Sequence, residues 1–179
     1  MWYNSEAKES TWFVRENIIM KWEEKRKKPV RYWSRIEIED IVKEYGVDRS
    51  RFYEYSKTDY QKVLNKFFYS FTDYTKFPTV HFNYLWLNLR KDLKKVFFQY
   101  DNDWLSLLDN IKQYFINRNI QKLFLILSDG WVYEGYIDEI ITVLSEIDGV
   151  IEDFYIVTQK FDSFAVYCSD GQCANIYEK

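Results

Sequence analysis

A chain of 179 residues with 47% apolar and 30% charged residues, only five glycines and two prolines has the make-up of one folded domain, which excludes a disordered or linker-dominated protein. Its net charge is −3, and it has no run of about 18 uninterrupted apolar residues, so neither a membrane-spanning helix nor a membrane partner is expected. The aromatic content is high: 16 Tyr, 14 Phe and 7 Trp supply rings that must pack in a core or meet a partner.

Taken from the N-terminus, Met1–Ser10 lacks a basic start followed by an apolar core, so a cytoplasmic protein is expected. Glu6–Lys28 permits a helix with Trp12, Ile19 and Trp22 along one side; the cations before Pro29 would complement its dipole. Ser34-Arg35-Ile36-Glu37 reads as a capping box that opens a helix through Ile38, Ile41, Val42 and Tyr45, closed by Gly46. Tyr60, Val63, Leu64, Phe67, Phe68 and Phe71 keep the i, i+3, i+4, i+7 spacing of an amphipathic helix. Beyond Pro78, a further stripe of Phe82, Trp86, Leu89, Leu93 and Val96 predicts another, and Asp103 opens a third through Trp104, Leu107, Leu108, Ile111 and Phe115.

The continuous apolar run Leu123–Leu127 predicts a central strand covered on both faces. Ser128-Asp129-Gly130 breaks it, and Ile137, Ile140, Ile141, Leu144 and Ile147 predict a helix ending at Gly149. Strands are expected at Phe154–Thr158, Phe164–Cys168 and Cys173–Tyr177. The fold class expected is α+β, an N-terminal helical region followed by a small, mostly antiparallel sheet packed by helices. Charge divides the chain in the same place. Residues 1–100 hold 20 Lys and Arg against 14 Asp and Glu, a net of +6, whereas residues 101–179 hold 5 against 14, a net of −9. A basic, mainly helical region and an acidic α+β region are therefore expected to form one compact unit, the acidic part suited to a basic protein partner.

The two cysteines straddle Asp170-Gly171. A two-residue turn there sets Cys168 opposite Cys173 at a non-hydrogen-bonded position, roughly 4.5 Å between Cα atoms, which leaves packed thiols and a strained disulfide both open. Zinc needs four ligands and the chain has a single histidine, His81, so neither metal nor other cofactor is expected. Phosphate loops, dinucleotide fingerprints and nucleophile elbows are missing. An enzyme would have to use carboxylates: Asp129 and Glu134 flanking the beginning of the helix after the central strand, with Glu152 and Asp153 before another strand.

Two resemblances bear on function. Ile38–Tyr53 resembles a helix-turn-helix, with Ile41, Tyr45, Val47 and Phe52 at its apolar positions and Gly46 in its turn; this implies a DNA-binding regulator using Arg49, Arg51 and Lys57. It departs from that pattern at Val42, where a small residue is usual. Tyr133-Glu134-Gly135, the isoleucine-rich helix, Phe154–Phe161 and the closing hairpin together resemble small bacterial immunity-like domains, which implies stoichiometric binding to a basic toxin rather than turnover. The leading expectation is a non-catalytic bacterial protein-interaction domain that recognises its partner through Asp129, Glu134, Asp138, Glu152, Asp153 and Asp162. DNA-binding regulation and carboxylate catalysis are the alternatives.

Overall fold

The computed structural model describes residues 33–56, 58–73, 85–98, 103–128, 130–147, 151–168 and 174–179; the expected helix Glu6–Lys28 lies outside them. In chain order the elements are helix α1 (Trp33–Glu44), strand β1 (Phe52–Glu54), helix α2 (Tyr60–Phe71), a 3-10 turn at Leu85–Asn88, strand β2 (Lys94–Val96) and helix α3 (Trp104–Asn117). Strands β3 (Lys122–Leu127) and β4 (Val132–Tyr136), helix α4 (Ile137–Ser145), and strands β5 (Asp153–Thr158), β6 (Ser163–Cys168) and β7 (Ala174–Glu178) follow. The seven strands make one sheet in the order β1-β4-β3-β5-β6-β7-β2, antiparallel at every junction. The fold is thus α+β, and Ser34–Lys179 make up one compact unit.

Leu123–Leu127 are all buried, because β3 sits inside the sheet and has helices over both faces. On one face Leu123, Leu125, Leu127, Tyr133, Phe154, Ile156, Ala165 and Ile176 pack with apolar residues of α1, α3 and α4. Alternate residues of the same strands, including Phe124, Ile126, Val132, Tyr155, Val157, Phe164 and Val166, pack on the other face with Val63, Leu64, Phe67 and Phe71 of α2. The period of two along the strands thus feeds two cores, and the period of 3.6 along each helix covers one of them. Ties within the three-helix layer are specific. The Trp104 indole donates to Leu144 O at 2.9 Å, and the Tyr45 hydroxyl donates to the Glu146 carboxylate at 2.6 Å.

Three expectations need correction. The stripe from Phe82 to Val96 is not one helix: the described part is a single 3-10 turn, a bridge between Leu89 and Thr72, and strand β2 paired with β7. Helical spacing alone could not see that β7 offers Lys94–Val96 an edge to pair with. Residues 52–54 form β1 rather than a recognition helix. Asp48 builds a turn in its place, accepting from Ser50 N at 2.8 Å through its carboxylate and from Phe52 N at 2.9 Å through its carbonyl, and the aromatic, extended-favouring Phe52-Tyr53 then joins the sheet. Third, Val132–Tyr136, Glu134 among them, form strand β4, where no strand is expected from the sequence. The capping-box reading also shifts, since α1 begins at Trp33 and Ser34 lies within its first turn. Gly46 does end α1, at φ +61°, with Val47 N bonded back to Val42 O at 3.0 Å.

The β6–β7 register sets Tyr167 opposite Ala174, the pairing that a two-residue Asp170-Gly171 turn requires. Cys168 is buried against the α2 side of the sheet; Cys173 and the turn itself lie outside the described residues, as does His81.

Candidate functional site

Besides Asp153, 3% exposed, the buried charged group among the described residues is Glu134, 5% exposed. Its position follows from the ladder: β4 lies between β1 and β3, so Glu134 faces Tyr53 on one side and Phe124 on the other. The Lys122 ammonium forms an ion pair with the Glu134 carboxylate, and Gln159 Nε2 donates to the same oxygen at 3.1 Å. Burial first, and then the hydrogen bond to Glu134, raise the pKa of the Tyr53 phenol; the bond to Glu134 likewise raises that of Lys122. The cluster locks β1, β3, β4 and the end of β5 together on the α2 side. Among the described residues these contacts of the carboxylate hold strands together, and the Lys122 cation is committed to it.

This predicts a destabilisation of ~1–3 kcal/mol for Lys122→Met, because a nearly buried carboxylate loses its counter-charge. Urea unfolding checks it. The double variant Lys122→Met with Glu134→Gln should recover part of the loss, while an unchanged midpoint for the single variant would contradict the assignment.

The other sequence-predicted acids do not converge on Glu134. Across β3 from it, Phe124 pairs with Val157, and Asp153 lies four residues further along β5, about 13 Å at the rise of a strand. Asp153 is buried, and Glu152 is exposed at the same end of β5. Asp162 sits at the opposite end, in the β5–β6 turn, where its carboxylate accepts from Thr158 Oγ1 at 2.6 Å. Asp138 is exposed in the first turn of α4, where the dipole favours an acid, and pairs with Lys112 at 2.8 Å. Asp129 lies outside the described residues. The expected single patch is therefore split between two ends of the sheet, and the carboxylate pair required by the catalytic alternative is not formed by Glu134 with Glu152 or Asp153. Among the described residues no three His, Cys, Asp or Glu side chains come together to hold a metal.

The cations of the DNA-binding alternative are engaged as well. Arg49 makes a two-pronged contact with Glu39, at 2.6 and 3.3 Å. Arg51 pairs with Glu139 and lies 4.1 Å over the ring of Tyr136. Lys57 lies outside the described residues.

What sequence reasoning missed is the outer surface of the three-helix layer. Asp40 and Glu44 on α1, Asp109 on α3, and Asp138 and Glu146 on and just after α4 are all exposed, with Lys43 and Lys112 as the interspersed cations. Asp40, Glu44 and Asp109 form no ion pair among the described residues. Tyr45, 51% exposed, stands in this surface with its hydroxyl fixed by Glu146, and that bond is the first cause of its raised pKa. The signal was present as Asp40 and Glu44, i and i+4 on the polar side of an amphipathic helix.

A second polar lock closes the far side of this layer. The Glu178 carboxylate accepts from the Tyr114 hydroxyl and from Arg118, each at 2.6 Å, and from Lys94 at 3.3 Å. Burial first, and then Glu178, push the Tyr114 phenol up to about 12; the Tyr114 bond in turn holds the Glu178 carboxyl below the usual range. A carboxyl depressed by folding stabilises above its unfolded value of about 4.3, and that contribution is lost as pH falls through the folded value. A phenol raised by folding stabilises below about 10, and its contribution decays between there and about 12. Glu178→Gln should therefore flatten the loss of stability in acid, as measured by urea midpoints across that range; an acid limb identical to the wild type would contradict the lock.

The described part of this chain is a three-layer α+β domain, one antiparallel sheet between a three-helix layer with an acid-rich surface and a single helix. By sequence the chain belongs to the family of unknown function DUF6756, which matches residues 31–179. No curated protein and no solved structure matches it. No helix among the described residues is long and apolar enough to cross a membrane.

Proposed function

We propose that this chain is a non-catalytic, cytoplasmic protein-interaction domain that binds a basic protein, in the manner of an immunity-type inhibitor held against a toxin. The observation that carries this reading is the outer surface of α1, α4 and α3: exposed Asp40, Glu44, Asp109, Asp138 and Glu146, with Tyr45 hydrogen-bonded to the last of them. Opposed charge speeds encounter and rejects wrong partners, while a half-exposed tyrosine already held in place gives an anchor at low entropic cost. Of the acids expected from sequence, Asp138 belongs to this surface; Glu152 and Asp162 lie at the two ends of the sheet, where they serve as outlying charges at most.

The triple variant Asp40→Lys, Glu44→Lys and Asp109→Lys tests it. A basic protein that copurifies with the wild-type chain at low salt should associate about 10- to 100-fold more slowly with the variant. Association of the variant at the wild-type rate would reject this surface. The DNA-binding alternative gains no support, because residues 52–54 of its second helix form the strand β1.

A further inference from the structure

The opposite layer carries a group of cations interspersed with Asp59, Asp92 and Asp162. On α2, Lys62, Lys66 and Tyr69 follow at i, i+4 and i+7, one outward stripe; Tyr69 is 60% exposed. At the end of that helix Arg90 N donates to Phe71 O at 2.9 Å, and its guanidinium reaches Ser70 O at 3.5 Å. The Lys66 ammonium lies 4.7 Å over the ring of Phe161 and that of Lys179 lies 4.9 Å over the ring of Phe71. Burial, and then the charges of Arg90 and Lys66, lower the pKa of Lys179, so three cations share one field despite the nearby Asp162. Lys62 is paired with Asp59 and Arg90 with Asp92, whereas Lys66 and Lys179 form no ion pair among the described residues.

The helix dipole accounts for a cation at the end of α2 but not for Lys62 and Lys66 further back. Like charges held together on aromatic rings beside an exposed tyrosine suit a chain of phosphates with bases to stack. The acidic layer of a second copy would also match in charge, but that contact is head-to-tail and open-ended, favouring fibres over a closed assembly. We infer that the outward stripe of α2 is a binding surface for single-stranded nucleic acid, with Lys62, Lys66, Arg90 and Lys179 on phosphates and Tyr69 stacked on a base. This surface is independent of the proposed acidic one.

Fluorescence anisotropy with a labelled oligo-dT of about 15 nucleotides tests it across a salt series. Four phosphate contacts predict a slope of log affinity on log salt near −3, at about 0.7 per contact. Lys66→Glu with Lys179→Glu should bring that slope near half its value and weaken binding at low salt; Lys66→Gln with Lys179→Gln gives the same slope change without charge reversal. Tyr69→Ala should cost about tenfold with the slope unchanged, and the triple acidic-surface variant should bind as the wild type does. Circular dichroism confirms that each variant is folded. The inference is overturned by no binding at low salt, by either double variant binding like the wild type, by Tyr69→Ala without effect, or by equal or tighter binding to duplex DNA or to anionic phospholipid vesicles.

Discussion

Phe164→Ala should destabilise the domain by about 3–5 kcal/mol, the range for deleting a fully buried aromatic ring. Phe164 lies on β6, fully buried, where the sheet meets α2. Its ring centroid is 4.5 Å from that of Phe71, 5.2 Å from Phe67, 5.3 Å from Tyr177 and 6.4 Å from Tyr155. Phe67 in turn lies edge-on to Tyr155 at 5.2 Å. Rings from α2, β5, β6 and β7 thus meet around one side chain, and edge-on or tilted pairs of this kind add to what burial alone gives. Removing the ring leaves a cavity whose walls belong to four elements, so collapse is difficult and the cost falls high in the range. Urea unfolding followed by tryptophan fluorescence measures it. Phe164→Leu, which keeps most of the volume, should cost less than half as much. A loss below about 1 kcal/mol for the alanine variant would mean that α2 does not rest on this ring.

The second large effect comes from adding one carbon rather than removing six. Gly135 on β4 is paired with Phe52 of the neighbouring strand β1; a Cβ there would stand 2.7 Å from the Phe52 ring, 3.2 Å from Arg51 O and 3.3 Å from Ile140 Cγ1. Neither neighbour can retreat cheaply. Phe52 is fully buried and stacked on Tyr133 at 5.0 Å, and Arg51 O already accepts from Tyr136 N at 2.9 Å. Gly135→Ala is expected to cost about 2–3 kcal/mol through overpacking, and Gly135→Val more. Because β1 is a three-residue edge strand, the strain should be released by lifting it. Amide exchange at Phe52 and Glu54 should therefore accelerate more than at the buried strand β3. Uniform acceleration across the sheet would contradict that route.

How much of this could be read from the sequence depended on how long each signal ran. β3 was legible because five apolar residues in a row have no reading other than burial on both faces, and α2, α3 and α4 because their stripes repeat over several turns. The edge strands β1 and β2, three residues each, are too short to display a period of two, so neighbouring patterns absorbed them. Phe52-Tyr53 was drawn into a supposed recognition helix and Val96 into a helical stripe. β4 was hidden for another reason: Val132-Tyr133-Glu134-Gly135-Tyr136 is buried at its centre yet contains a carboxylate and a glycine, and only the cross-strand Lys122 and the close approach of Phe52 explain them. The candidate surface was obscured by averaging. Asp40 and Glu44 fall in the half of the chain whose net charge is +6, so a tally by halves assigned the acidic face entirely to the other half. Of those C-terminal acids, Glu134 and Asp153 turned out to be buried.

The most direct test of the acidic layer as the docking face is amide exchange of the chain with and without its copurified basic partner. Slowed exchange confined to α1, α4 and α3 is the predicted result. Slowed exchange confined to α2, or to the strand edges β1 and β2, with the three helices unchanged, would contradict it.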